Sequence, residues 1–565
     1  MSGILVVPTL EKGRGGGHLV RSVLLVRELR EQNRDAFLFA TPGVIFPVDN
    51  NPEWCLSDLD SLHKHSWDFV VIDRFKTTRQ EFKFWKTVAP IIGIDESGPC
   101  RNECDFLIDL LPNLPGTLTP NLTAPWMLPL PKNRRDSFFS RKELEPFQIL
   151  VSFGLEDPAR LSLPVTIALA QNAGTAISVV IAGLKPRDSD FASQPMIKIL
   201  GVIPNLREHL AEYDLVVTHF GLTAFEAIHA RVPVMLISPT RYHEKLAQNA
   251  GFFTARVQKM IPITNNILAL VQRRSEEVSL RFNLESPDSL ASLLAGIRIS
   301  RPAACPACGD RSSHRVLARF SSRTYRCCKS CGLIYQSRLN SPPVEYTKDY
   351  FFDLYQKQYG KTYLEDFPHL VTMGKERLQR ISSYNSGKKL LDIGCAYGPF
   401  LAAAQESGLS PVGIDPAEDA VRYVNEELKI PAIHGLFPSP QLFALAPFDI
   451  ITLWYVIEHF EYPKEILQEI HYLLKPGGLL AFSTPSCSGI SRRVSMQQFL
   501  HNSPADHWTI WDPNHVATIL GRAGFSVKKI HITGHHPERF PVFGSMGISK
   551  IFGLGDTFEV YAVKS

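Results

Sequence analysis

No stretch of the chain reaches the roughly 18 consecutive apolar residues that a membrane-spanning helix needs, so no transmembrane segment is expected. Charge of one sign is equally scarce. Sixty Lys and Arg stand against 56 Asp and Glu, a net charge of +4. Over this length that excess does not argue for nucleic acid, and no basic run with interleaved aromatics reverses it; no nucleic-acid partner is expected. Met1–Leu10 is apolar for only a few residues before a glycine loop, which reads as a first strand and not as a signal peptide. Cysteine is sparse outside one cluster, and the scattered remainder of the ten reads as reduced thiols of a cytoplasmic protein. No GxGxxG fingerprint feeds a pyrophosphate, which argues against a nicotinamide dinucleotide.

At 565 residues the chain is too long for one core and should hold two or three domains. The run KKLLDIGCAYGPFLAAAQESGLSPVGIDP, Lys388 to Pro416, is its most informative stretch. A strand at Lys389–Ile393 enters a small-residue turn and a helix, and a second strand, Pro411–Ile414, ends on Asp415. This is half of a doubly wound nucleotide-binding unit, whose ligand crevice lies at the carboxyl ends of the strands. Asp392 and Asp415 stand at those ends, and Gly394 and Gly398 let the backbone come close to a ligand. A helix over Ala417–Leu428, strands near Ala432–His434 and over Phe448–Leu453, a helix over Lys464–Leu474, the turn KPGG and the strand Leu479–Ser483 follow. Such alternation means a parallel sheet.

From about Tyr346 onward this succession resembles the class I S-adenosylmethionine-dependent methyltransferases. The resemblance implies that Asp415 hydrogen-bonds the ribose hydroxyls of S-adenosylmethionine (SAM). It also implies that the turn Gly394–Gly398 passes under the methionine moiety, with Asp392 anchoring it. Methyl transfer to a hydroxyl needs alignment and the removal of a proton. His459 at the end of the fourth strand is the candidate base, with Glu458 orienting it or the substrate; the pair alternatively caps the next helix. Some ubiquinone-pathway O-methyltransferases carry ExxEH here and use it to bind a divalent ion, but Tyr455 replaces the first glutamate, so no metal is expected at this place. Ser486–Asp512, with Arg492, Arg493, His507, Trp508 and Trp511, reads as a lid over a polar substrate or as an ordinary insertion whose tryptophans pack on the core. His507 is the second candidate base. The tyrosines of Tyr350–Tyr363 cover the cofactor or form a packed helix face.

Between the larger parts, Cys305/Cys308 and Cys328/Cys331 form two CxxC pairs, each followed by glycine (Gly309, Gly332). Such knuckles aim four thiolates at one tetrahedral ion, and a structural zinc is expected. Cys327 is a fifth thiol, but Cys328 keeps the spacing. The arrangement resembles the zinc-ribbon leader of some sugar-acting methyltransferases, where it helps to wall the substrate cleft.

Residues 1 to about 298 read as two further α/β halves, joined across the stretch Leu128–Arg141. The first holds strands at Gly3–Val7, Ala36–Phe39, Phe69–Ile72 and Ile91–Ile94 and the loop KGRGGGH. The second holds strands at Gln148–Phe153, Ile177–Ile181, Ile197–Leu200 and Leu215–Thr218, then a helix whose first turns carry Thr223 and Glu226. The halves resemble the GT-B glycosyltransferases, and most closely the UDP-sugar hydrolase of the pseudaminic acid pathway and its spore-coat polysaccharide relatives. Their GxGHxxR is matched by Gly15, Gly17, His18 and Arg21, their SFGGxDP by Ser152–Phe153–Gly154 and Asp157–Pro158, and their GGTTxxE by Phe220 to Glu226. The resemblance implies a nucleotide sugar on these residues, with Glu226 at the ribose. His18 is placed to deprotonate a water or an acceptor hydroxyl, or else packs the loop–helix junction. Phe220 and Leu222 replace small residues of that loop, which favours a module that binds without catalysing.

The expected fold is α/β throughout. It comprises a GT-B-like lobe over 1–140, a nucleotide-sugar-binding lobe over 141–298, a zinc ribbon over 302–338 and a doubly wound methyltransferase over 345–565. The expected activity is SAM-dependent methylation of a sugar hydroxyl beside glycosyl transfer or nucleotide-sugar hydrolysis. The alternative is methylation of a non-sugar molecule or protein, with an amino-terminal module that docks a glycan or partner.

Overall fold

The computed structural model of the chain describes every residue except 1, 10–16, 41–52, 114–118, 141–145, 155–156, 158, 172–176, 183–196, 202, 257–263, 285–286, 301–303, 313, 340–355, 357–359 and 540–545. The chain divides into two compact units, Met1–Ile299 with Phe320–Ser322, and Ser300–Arg319 with Arg323–Ser565. Among the described residues no helix is long and apolar enough to cross a membrane.

The first unit is built on two parallel sheets. One runs in the order Cys55–Leu56, Ala36–Phe39, Gly3–Pro8, Trp67–Asp73, Ile91–Ile94, Phe106–Asp109 and Leu122–Thr123. The other runs Ile197–Gly201, Ile177–Ala182, Phe147–Val151, Leu215–Thr218, Val234–Ile237 and Phe253–Ala255. In both, the strand order reverses beside the first strand, which opens a crevice at the carboxyl ends of the strands. The strands Gly3–Pro8 and Leu215–Thr218 are buried along their whole length, as layers covered on both faces require. His18 rides on the helix Gly17–Glu31 that leaves the first strand, and Asp73 ends the strand across the reversal. Residues 128–140 between the two sheets carry no helix or strand.

The second unit holds a seven-stranded sheet in the order Ala432–His434, Ser410–Asp415, Lys389–Ile393, Phe448–Trp454, Leu474–Pro485, Thr557–Lys564 and Phe525–Thr533. Thr557–Lys564 is antiparallel to both its neighbours, and the other pairings are parallel. The fifth strand begins earlier than its apolar pattern suggests. It takes in Lys475–Gly478 and runs from Leu474 to Pro485, with only the tip of that segment exposed. The Cys305–Cys308 knuckle precedes the sheet, and the Cys328–Cys331 knuckle joins the two strands of the hairpin Arg323–Cys327 with Ile334–Leu339. This ribbon does not stand apart. Cys305, Cys328, Cys331, Leu333 and Tyr335 share one core with Phe482, Trp511, Ile457 and Val516 of the sheet and its insertion. Ile334 and Tyr335 also pair with Ile510 and Thr509 of the insertion in an antiparallel ladder.

Candidate functional site

The crevice of the second unit is lined from the carboxyl ends of its first, second and fourth strands. Gly394 (φ +72°) and Gly398 (φ +78°) turn the chain in the left-handed region that favours glycine. A Cβ at Gly394 would lie 2.4 Å from Cγ2 of Val456, so the turn is locked against the segment that leads to Glu458. Asp415 accepts from the amides of Ala396 (2.8 Å) and Ala417 (2.9 Å), which fixes both oxygens at the strand end. Asp392 accepts from Thr452 Oγ1 at 2.6 Å. Both carboxyls are buried, and among the described residues neither has a cation within ion-pair distance. Burial pushes Asp392 up to about 7, against its hydroxyl bond and the charge of Arg377. Burial likewise pushes Asp415 up to about 6. Two enclosed acceptors held away from their ordinary state suit a ligand that brings hydroxyl and ammonium donors. The structure thus brings Asp392, Gly394, Gly398 and Asp415 together.

Just past the fourth strand, Tyr455 adopts φ +59°, an uncommon conformation for a bulky residue. The chain then makes one 3₁₀ turn, Ile457–His459. The next helix, Pro463–Leu473, is entered through Tyr462, with proline in its first turn and no side-chain cap bond from Tyr462. Nδ1 of His459 lies 3.0 Å from Oδ2 of Asp506. Burial would lower this imidazole, but the Asp506 hydrogen bond and the neighbouring carboxylates hold it above its ordinary value. Asp506 is correspondingly held down at about 2, its burial outweighed by His459. The ring of His507 stands edge-on to that of His459, with centroids 4.8 Å apart. Burial and the charge of His459 drive His507 down to about 3, so it is neutral across the working range.

Glu458 is 1% exposed, and among the described residues neither of its oxygens has a hydrogen-bond partner. Burial pushes it up to about 7. Glu458 does not orient His459; Asp506 does, a residue that sequence reasoning passed over. The available signal was the aspartate directly before His507 in a loop already singled out. Within the insertion, Trp511 is fully buried and packs on Phe482 at 5.6 Å, so it is core and not lid. Arg493 Nε bonds the Ser488 carbonyl at 3.0 Å. Of the tyrosine cluster, Tyr363 is described; its ring lies 6.0 Å from that of Tyr397 in the glycine turn.

The four thiols of the ribbon converge. Sγ atoms of Cys305 and Cys331 are 3.5 Å apart, those of Cys308 and Cys328 are 3.6 Å apart, and all four fall within 4.8 Å of one another. The amides of Gly309 and Gly332 close the two knuckles onto the carbonyls of Cys305 (2.9 Å) and Cys328 (3.0 Å). Cys327 turns away, its thiol near the carbonyls of Cys328 and Gly332 at 3.7 Å each.

In the first unit, Nδ1 of His18 is 2.7 Å from Oδ1 of Asp73. Arg21 lies beneath them and is only 2% exposed. Its Nε donates to Asp73 (2.9 Å), one terminal nitrogen donates to Asp73 as well, and the other donates to Asp95 (2.8 Å). The guanidinium is thus spent on two carboxylates and holds Asp73 in place. Burial would raise Asp73, but Arg21 and His18 keep it well below the carboxylate range. His18 borders a cleft of about 320 Å³ with Thr9, Phe75 and Lys76. Gly17 meets the second lobe, since a Cβ there would lie 3.1 Å from Cδ1 of Leu222. Thr223 and Glu226 lie on the helix Leu222–His229, and burial pushes Glu226 up to about 7. Gly15 and Pro158 lie outside the described residues.

A family model described as a methyltransferase domain matches residues 365–530. A ubiquinone biosynthesis O-methyltransferase of Idiomarina loihiensis is 32% identical over 134 residues, which cover 21% of this chain and 52% of that protein. Its mitochondrial counterpart in Schizosaccharomyces pombe is 30% identical over 119 residues, 20% of this chain and 43% of the relative. The chain thus spans about half the length of the curated relatives it matches. A solved SAM-dependent methyltransferase of Archaeoglobus fulgidus aligns at 18% identity with a TM-score of 0.28, covering 38% of this chain and 99% of that one. The magnesium protoporphyrin IX methyltransferase of Synechocystis, with bound SAH, aligns at 15% and a TM-score of 0.28, covering 39% and 98%. Residues 365–530 belong to a class I SAM-dependent methyltransferase domain.

Proposed function

We propose that the carboxy-terminal unit methylates a hydroxyl group of a sugar, with His459 as general base, and that the amino-terminal unit transfers or hydrolyses a nucleotide sugar. The observation that carries the first part is the His459–Asp506 pair beside the unpartnered Glu458. Asp506 accepts a hydrogen bond from Nδ1–H, which leaves the lone pair of the neutral ring on Nε2. An aliphatic hydroxyl is a much weaker acid than a phenol, whose pKa is about 10, and needs such a carboxylate-supported base more. When bound, SAM supplies a sulfonium methyl group. Asp415 would accept from its ribose hydroxyls and Asp392 from its methionine end. Glu458, near its midpoint at neutral pH, would hold a hydroxyl of the acceptor by giving or accepting a hydrogen bond. Zinc–sulfur bonds of about 2.3 Å set a tetrahedral edge of about 3.8 Å, close to the 3.5 and 3.6 Å between paired thiols, so Cys305, Cys308, Cys328 and Cys331 would hold a structural zinc.

For the amino-terminal unit, the His18–Asp73 pair at a cleft repeats the logic of a supported base. Phe220 supports a usable nucleotide site in spite of its size. Its ring is buried against Phe225 (5.9 Å) and Phe252 (6.3 Å), within the core of the lobe. Arg21, Gly17, Thr223 and Glu226 would shape that site, Arg21 from beneath.

A second reading keeps the methyltransferase and gives it a small phenolic acceptor; the similar curated proteins are named as O-methyltransferases of ubiquinone biosynthesis. Transfer of labelled methyl from SAM to a panel of nucleotide sugars and catechols separates the two. Labelling of sugars alone supports the first reading, and labelling of catechols alone supports the second. No binding of SAH by calorimetry would remove both.

A further inference from the structure

The insertion that carries Asp506 and His507 has few apolar anchors of its own between His501 and Trp508, yet its carbonyls are taken up almost without a break. Arg323 donates to the carbonyls of His501 (2.8 Å), Ser503 (2.9 Å) and Pro504 (3.4 Å). The side chain of Gln336 donates to those of Ala505 (3.2 Å) and His507 (2.7 Å), on either side of Asp506. Its backbone amide donates to the carbonyl of Trp508 at 3.1 Å. Arg338 lies over the Trp508 ring, 4.4 Å from its centroid. All three side chains belong to the ribbon hairpin, where Arg323 pairs with Arg338 and Tyr325 with Gln336. Gln336 is 1% exposed, and among the described residues its Oε1 has no partner. A buried amide with an unsatisfied oxygen is costly, so the two carbonyl bonds on its nitrogen are what hold it in this orientation.

We propose that the ribbon hairpin is a working part of the methyltransferase site, with Gln336 and Arg323 as positioning residues that hold the Asp506 loop against His459. The assignment rests on His459 acting as the base. Gln336 touches neither cofactor nor acceptor; it acts by fixing the two peptide groups that flank Asp506. A shift of about 1 Å in Asp506 would weaken the hydrogen bond that sets the tautomer and basicity of His459. The groups that face His459 are Glu458 on its own turn and Asp506 and His507 from the insertion. Arg323 and Arg338 of the hairpin add positive charge near His507 and Asp506. Because Asp506 is the carboxylate bonded to His459, displacing it lowers the pH at which the imidazole protonates.

The test uses the full-length protein and the variants Gln336→Met, Arg323→Met and Arg323→Lys. Three quantities are read: SAH affinity by calorimetry, the pH dependence of kcat, and the pH dependence of His459 carbethoxylation by peptide mass spectrometry. In Gln336→Met we expect kcat at neutral pH to fall about tenfold, SAH affinity to stay within about twofold, and the half-reaction pH of His459 to fall by about one unit. Arg323→Met should lower kcat and the half-reaction pH of His459 in the same way with SAH affinity retained, and Arg323→Lys, which keeps a donor, should restore both. If Gln336→Met no longer binds SAH, Arg323→Met at its partly exposed position decides in its place. An unchanged His459 titration in the variant that binds SAH overturns the proposal. The carbethoxylation readout does not need turnover. If His459 titration shifts while the acid limb of kcat in the wild type follows another group, the positioning stands and the base assignment falls.

Discussion

Nδ1 of His459 and Oδ2 of Asp506 lie 3.0 Å apart, although 47 residues separate them in the chain. This contact joins the turn after the fourth strand to an insertion after the fifth, and it makes a carboxylate-supported imidazole just past the carboxyl end of that fourth strand. A base works only when neutral, and Asp506 favours the charged ring. The acid limb of kcat should therefore sit above pH 6.5, the ordinary value for histidine. Asp506→Asn should move that limb down while lowering the plateau. His459→Ala should lose about 10²- to 10⁴-fold in kcat with SAH affinity retained. A pH–rate profile beside a calorimetric titration checks both. Unchanged turnover in His459→Ala would shift the role to His507.

The crevice makes a separate prediction for the cofactor. Asp415 is fixed by two amides with its remaining lone pairs available to a ligand, and Asp415→Ala removes those acceptors. SAH affinity should fall at least about tenfold, the scale of one charge-assisted hydrogen bond. Gly394→Val adds a strained φ and a collision with Val456, and it should lower SAH affinity together with thermal stability. Equal SAH affinity in Asp415→Ala and wild type would show that the ribose lies elsewhere.

The cofactor half of the site was legible because its chemistry is local. Asp392, Gly394, Gly398 and Asp415 fall within 24 residues, and strand alternation with a small-residue turn encodes the whole unit. Most strand positions followed from the same apolar runs. The partner of the proposed base was only half legible. Asp506 stands directly before His507 in a loop already singled out, but its meeting with His459 depends on the tertiary placement of that loop, which no local pattern records. Arg21 shows the same limit. Its motif position suggested a ligand contact, while the tertiary fold turns it onto Asp73 and Asp95, two strand ends whose meeting depends on sheet order.

Asp392, Asp415 and Glu458 are raised from ordinary carboxylate values to about 7, 6 and 7. Such groups bind more protons folded than unfolded, so ligand-free stability is greatest below their unfolded values near pH 4 and is lost as pH rises through about 7. The raised His459 adds to this trend at its upper end, whereas His507, held at about 3, opposes it by contributing stability that grows as pH rises towards its unfolded value near 6.5. Asp506, held at about 2, acts only below about pH 4. Urea unfolding of the ligand-free protein should show lower stability at pH 7.5 than at pH 5. Asp392→Asn, which removes one of the raised groups, should flatten the difference by an amount of the order of 1.4 kcal/mol per pH unit spanned. A stability that climbs between these two pH values would contradict the raised carboxyls.

Four converging thiols make a prediction that separates them from the fifth. Elemental analysis of the full-length protein should find one zinc per chain. Cys305→Ser should lose it and lower the melting temperature of the carboxy-terminal unit, because the ribbon shares a core with the sheet. Cys327→Ser should keep the metal, since the Cys327 thiol faces carbonyls and not the cluster. Loss of zinc in Cys327→Ser with retention in Cys305→Ser would reverse the ligand assignment.

Arg21 offers the strongest test of the amino-terminal unit. Its guanidinium is the only cation among the described residues within ion-pair distance of both Asp73 and Asp95. Arg21→Met keeps the volume but strands two buried carboxylates, a change that costs about 3–5 kcal/mol when one partner of a buried pair is removed. Unfolding of the first unit by urea should register that loss, and Asp73→Asn added to Arg21→Met should recover part of it. His18 is partly exposed and contributes no such buried charge, so His18→Ala should leave stability within about 1 kcal/mol of wild type. Any glycosyl transfer or hydrolysis by the unit should nevertheless disappear in His18→Ala. If nucleotide sugars bind and turn over normally in that variant, His18 only packs the loop–helix junction. If they bind to wild type and never turn over, the unit docks its ligand without acting on it.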